Sequence, residues 1–78
     1  NGVYEFKDES FATLAKKIER IYGVKLVFED DAIKQRTFTG TINIDDNIYT
    51  MMEVFKRASA EPFDYLIDRN IIHIQSEK

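Results

Sequence analysis

Residues 11–28 read Phe11-Ala12-Thr13-Leu14-Ala15-Lys16-Lys17-Ile18-Glu19-Arg20-Ile21-Tyr22-Gly23-Val24-Lys25-Leu26-Val27-Phe28, and the period of their apolar side chains changes at Gly23. Before it, Phe11, Leu14, Ala15, Ile18, Ile21 and Tyr22 fall on one stripe of a 3.6-residue helix. After it, Val24, Leu26 and Phe28 alternate with Lys25, Val27 and Glu29, the period of a half-buried strand. Gly23 sits where a left-handed C-terminal cap ends the helix. Asp8 and Ser10 are the candidate N-caps.

Outward from this unit the same logic orders the rest of the chain. Tyr4 and Phe6 alternate with Glu5 and Lys7 in a strand that precedes the helix. The polar run Glu29-Asp30-Asp31 opens a connection ending near Gln35. In a third strand Phe38, Gly40, Ile42 and Ile44 face one way and Thr37, Thr39, Thr41 and Asn43 the other; Gly40 on the inward face points to a bulge or a close approach by a helix. Asp45, Asp46 and Asn47 are cap candidates for a second helix with the stripe Ile48, Met51, Met52, Phe55 and Ala58. Pro62 stops it. Phe63, Tyr65 and Ile67 alternate in a fourth strand, and Asp68-Arg69-Asn70 turns into a fifth, Ile71 to Gln75. The order is β-α-β-β-α-β-β, an α+β fold.

The two halves resemble each other. A shift of 37 carries the first helical stripe onto Ile48, Met51, Met52, Phe55, Ala58 and Ser59, and Leu26 and Phe28 onto Phe63 and Tyr65. Two βαβ units related by duplication fit this pattern, as does the general ease of aligning any two such units.

Seventy-eight residues with 44% hydrophobic content make one domain, residues 1–78. Six Phe and four Tyr supply bulky core material, while three Gly and one Pro argue against a disordered linker. With no Cys, thiol and disulfide chemistry are excluded. The net charge of −3 disfavours nucleic acid, whose binding rests on neutralised phosphates; Lys16, Lys17 and Arg20 read as a solvated helix face. No apolar run approaches the length of a membrane span, so no direct membrane insertion is expected. The chain begins Asn1-Gly2 and reads as a fragment cut from a longer protein.

No catalytic or metal constellation emerges, and no cofactor is implied. His73 is the only His and lies between Ile72 and Ile74 on a strand, so it points away from the face those two fill. Asp30-Asp31 and Asp45-Asp46 stand where caps and turns favour Asp. Met51 and Met52 read as core filler. Phosphate-binding glycine loops and nucleophile motifs are missing. The chain reads as a binding module, not an enzyme.

Taken together, Ile21-Tyr22-Gly23, Val24-Lys25-Leu26-Val27-Phe28, Arg36-Thr37-Phe38-Thr39-Gly40-Thr41-Ile42, Phe63-Asp64-Tyr65 and Ile71-Ile72-His73-Ile74 resemble the C-terminal domain of FecR-like anti-sigma factors of the Bacteroidetes type. The resemblance runs from Phe11 to Gln75, and Phe11, Tyr22, Gly23, Phe38, Gly40 and Ile74 match as structural positions. It implies a periplasmic domain of a regulator anchored in the inner membrane. The implied partner is the N-terminal signalling domain of a TonB-dependent outer-membrane transporter. A cytoplasmic part of the parent would act on an extracytoplasmic-function sigma factor. The domain is also similar to the secretin and TonB short N-terminal domain, which implies two βαβ units with the helices held between small sheets.

Alternatives are the short N-terminal signalling domain of a transporter or secretin, an RNA-binding ferredoxin-like domain stacking bases on Phe28 and Phe38, and a small acylphosphatase-like enzyme. For partner binding, the C-terminal strand Ile71, Ile72, His73, Ile74 and Gln75 is the expected free edge, offering backbone groups to a partner's strand.

Overall fold

A computed structural model describes residues 2–59 and 61–76. The elements are β1 (Val3–Ser10), α1 (Phe11–Tyr22), β2 (Lys25–Phe28), a 3-10 helix (Asp31–Gln35), β3 (Thr37–Asn43), α2 (Ile48–Ala58), β4 (Phe63–Asp68) and β5 (Ile71–Ser76). Apart from the 3-10 helix, they follow the order read from the sequence.

The strands form two sheets. In the first, β1 pairs antiparallel with β3; in the second, the order is β2-β5-β4, with β2 and β5 parallel and β4 and β5 antiparallel. Each βαβ unit therefore starts in the first sheet and ends in the second. Side chains of both sheets reach both helices. Phe11 of α1 lies 5.0 Å from Phe38 in the first sheet and 5.2 Å from Phe63 in the second, centroid to centroid. Phe55 of α2 lies 4.5 Å from Phe38 and 6.1 Å from Phe63. These edge-to-face and offset contacts join both layers through the helices.

Local signals set the helix ends. Ser10 Oγ accepts from Thr13 N at 3.2 Å and caps α1. Gly23 takes φ 67, ψ 34, and its N–H donates to Glu19 O, closing the helix in the left-handed geometry a Cβ disfavours. Asn47, among the three cap candidates for α2, does the capping by accepting from Thr50 N at 2.9 Å. Asn43 Oδ1 instead accepts from Asp45 N, which shapes the turn before it.

Three expectations need correction. Asp8 does not cap α1; it takes φ 49 inside a bulge where Phe6 pairs with Gly40 and Glu9 with Phe38, so Lys7 and Asp8 oppose Thr39 alone. The bulge thus lies opposite β3, and Gly40 is approached by the Phe6 ring instead of a helix. Each helical stripe includes one residue near its C-terminal end that does not face the core: Ile21 and Ala58 are exposed. Tyr22 turns inward beside Ile21 and donates its hydroxyl to Asp46 O at 2.9 Å, leaving Ile21 on the wet side. Beyond these, the connection opened by Glu29-Asp30-Asp31 contributes a core residue that its sequence did not announce, Ile33, which is fully buried. Asp30 accepts from Ala32 N and starts the 3-10 turn that drives Ile33 inward.

Candidate interaction surface

The second sheet carries the residues expected to bind a partner, and their placement differs from expectation. β5 is the central strand, flanked by β2 and β4, so Ile71–Gln75 presents no free edge. Lys25 N donates to Asn70 O and Glu29 N to Ile74 O, which turns the backbone groups of Ile72 and Ile74 toward β2. Those of Ile71, His73 and Gln75 then face β4, their antiparallel partner. The ends misled: a C-terminal strand is an edge only if the chain does not return into the middle of its sheet. Here the turn at Arg69 and Asn70 lays β5 on β4, and β2 closes the other side.

Side chains divide the same five residues. Ile72 and Ile74 are 0% exposed and belong to the core. Ile71, His73 and Gln75 lie on the opposite, outer face. The strand register sets Val27, His73 and Leu66 in one row across it, with Lys25, Ile71 and Asp68 in the next. Leu66 is 65% exposed, while Val27 and His73 are half-buried. The outward direction of Leu66 was legible in the alternation of β4: with Phe63, Tyr65 and Ile67 inward, Leu66 must face out.

The free edges belong to β1, β3, β2 and β4. β1 is kinked by its bulge, and Thr39 Oγ1 accepts from Asp8 N at 3.0 Å. β4 carries Asp64, 3.3 Å from Lys56 Nζ, and Tyr65, whose hydroxyl donates to Glu53. On β2 the N–H of Leu26 donates to Glu19 Oε2 of α1 at 2.9 Å, a contact no sequence signal announced.

The remaining candidates take structural places. Met51 and Met52 are buried. Asp31 pairs with Lys34 at 3.4 Å, one turn away. Phe38 is enclosed by Phe11, Phe55 and Phe63 and offers no open face for a base, while the half-buried Phe28 packs edge-to-face with Phe11 and has Lys34 Nζ 5.7 Å from its ring centroid. Lys17 pairs with Glu9 and bonds the Tyr4 hydroxyl; that hydrogen bond, with Glu9 nearby, raises the Lys17 pKa. Burial, aided by the Glu53 carboxylate, pushes Tyr65 up to about 12, and burial with Asp46 and Asp45 raises Tyr22. Among the described residues no three His, Cys, Asp or Glu side chains converge to hold a metal ion, and no helix is long and apolar enough to cross a membrane.

No curated protein and no solved structure matches the chain. The family described as FecR, C-terminal, matches residues 3–74, from the first strand to the last buried residue of the central one. That family is regulatory and non-enzymatic. With the match spanning both βαβ units and the closing strand, the chain belongs to the FecR C-terminal family.

Proposed function

We propose that this domain is the sensing end of a longer anti-sigma regulator anchored in the inner membrane, and that it binds the N-terminal signalling domain of a TonB-dependent outer-membrane transporter in the periplasm. Binding reports the transporter's state, and the cytoplasmic part of the parent passes it to an extracytoplasmic-function sigma factor. The family match over residues 3–74 carries this reading and favours the regulator over a transporter's own signalling domain. Two small sheets with open edges and an outer-face row of Val27, His73 and the exposed Leu66 are consistent with a role in protein contact.

The test is calorimetric titration of this domain with the N-terminal signalling domains of TonB-dependent transporters from the same genome. Saturable one-to-one binding is the expected result. No binding at about 0.1 mM of each folded domain, neither as heat at two temperatures nor as amide shifts, would sink the reading, because a Kd above about 0.1 mM corresponds to less than about 5.5 kcal/mol of association.

A further inference from the structure

We propose that the groove between α1 and the outer edge of β2 is a docking site for an extended acidic segment of a partner protein, and that Glu19 occupies the docking position until the partner arrives. Taking that partner to be the transporter's signalling domain rests on the functional reading above; the site itself does not.

The geometry of β2 comes first. Lys25 N and Glu29 N donate inward to β5 at 2.8 and 2.9 Å, so the N–H and C=O groups of Leu26 and Phe28 face away from the sheet. An added strand would bond those groups. Leu26 N–H is already taken by Glu19 Oε2 at 2.9 Å. A helix side chain thus stands where a neighbouring strand's carbonyl would stand. Among the described residues nothing accepts from Phe28 N–H.

Space and charge then select the occupant. The groove is lined by Ala12, Ala15, Lys16, Glu19, Lys25 and Lys34 beside the strand itself. Ala12 and Ala15 leave the helix side of the groove low, where longer side chains would fill it. Three lysines border it against one carboxylate, on a chain of net charge −3. Lys16 and Lys25 have no ion-pair partner among the described residues, and Lys34 holds only Asp31. An acidic strand would meet these lysines while its backbone carbonyl replaced the Glu19 carboxylate. The β4 edge, bearing Asp64 and Asp68, has the opposite charge, and β1 is kinked. Docking on β2 would also continue the row Leu66, His73, Val27 into a fourth strand.

The experiment follows amide shifts of the 15N-labelled domain with two probes: a blocked octapeptide alternating Val and Glu, and the N-terminal signalling domain of a TonB-dependent transporter from the same genome. Shifts centred on Leu26, Phe28 and the α1 residues 12–19 are expected. The double variant Lys16→Glu, Lys25→Glu should weaken binding by about tenfold or more, since close charge pairs carry much of such an affinity. Glu19→Ala should tighten it severalfold by removing the competing carboxylate. Lys16 and Lys25 are exposed and Glu19 half-buried, and a well-dispersed spectrum of the free variants, altered only around the replaced residues and Leu26, shows that they fold. Peptide binding here without domain binding would keep the site and reject the partner. Domain binding with shifts on β1, β3 or β4 would keep the partner and overturn the site. Loss of neither probe's affinity on charge reversal, no shift at β2 with either probe, or tighter binding of an oligothymidylate than of the peptide would each overturn it.

Discussion

The rings of Phe11 and Phe55 meet at 71° with centroids 5.0 Å apart, and each also packs on Phe38 and Phe63. These two residues, the first of α1 and the eighth of α2, tie the helices to each other and to both sheets. Phe55→Ala should therefore cost about 3–5 kcal/mol, the range for deleting a buried ring. For a domain this small that is most of the folding free energy. Urea melts should show a variant unfolded or nearly so in buffer; a midpoint within experimental error of the parent would mean that the aromatic cluster is not the core.

Two glycines should respond in opposite directions. At Gly23 an added Cβ meets nothing within 4 Å, but φ is 67. Gly23→Ala should cost about 1 kcal/mol through backbone strain alone. At Gly40 the Cβ would stand 3.5 Å from Phe6 Cζ, an ordinary contact, with no left-handed φ. Gly40→Ala should leave stability unchanged or raise it by up to about 1 kcal/mol, because it restricts the unfolded chain. Thermal melts of the pair check the signs.

The Tyr65 phenol predicts a loss of stability in base. Burial and the bond to Glu53 raise its pKa from 10.0 to about 12, so the folded state favours the neutral phenol. A raised folded-state pKa means that this contribution is complete below about pH 10 and is lost as pH rises toward about 12. Tyr65→Phe should flatten the stability profile across that window. Ultraviolet titration at the phenolate band should show one late-titrating tyrosine missing from the variant. A profile identical to the parent's would assign the base sensitivity elsewhere.

His73 distinguishes a central strand from an edge. Its side chain lies on the outer face, so His73→Ala should change stability little. Proline there removes an N–H that bonds β4, and should unfold the second sheet, at a cost of about 3 kcal/mol or more. Amide spectra report the outcome directly. A well-dispersed spectrum for His73→Pro would contradict the β2-β5-β4 order.

Much of the fold was legible because it rests on interactions close along the chain. The helix stripes, the Gly23 cap, the β-branched and aromatic alternation of the strands and the stop at Pro62 are all i to i+4 effects, readable without knowing any neighbour. The absence of Cys and the single His bounded the chemistry in the same way. What depended on distant partners was not legible. Ile33 became core because a 3-10 turn drives it inward, and Ile21 stayed wet because Tyr22 found Asp46 O. The bulge at Asp8 follows from the register of β1 on β3, set some thirty residues apart in the chain. Above all, the parallel pairing of β5 with β2, on the side opposite its local hairpin with β4, was decided by tertiary structure. A strand's own sequence states which side chains face inward, but its backbone hydrogen bonds go to whichever strand the packing of the helices brings alongside.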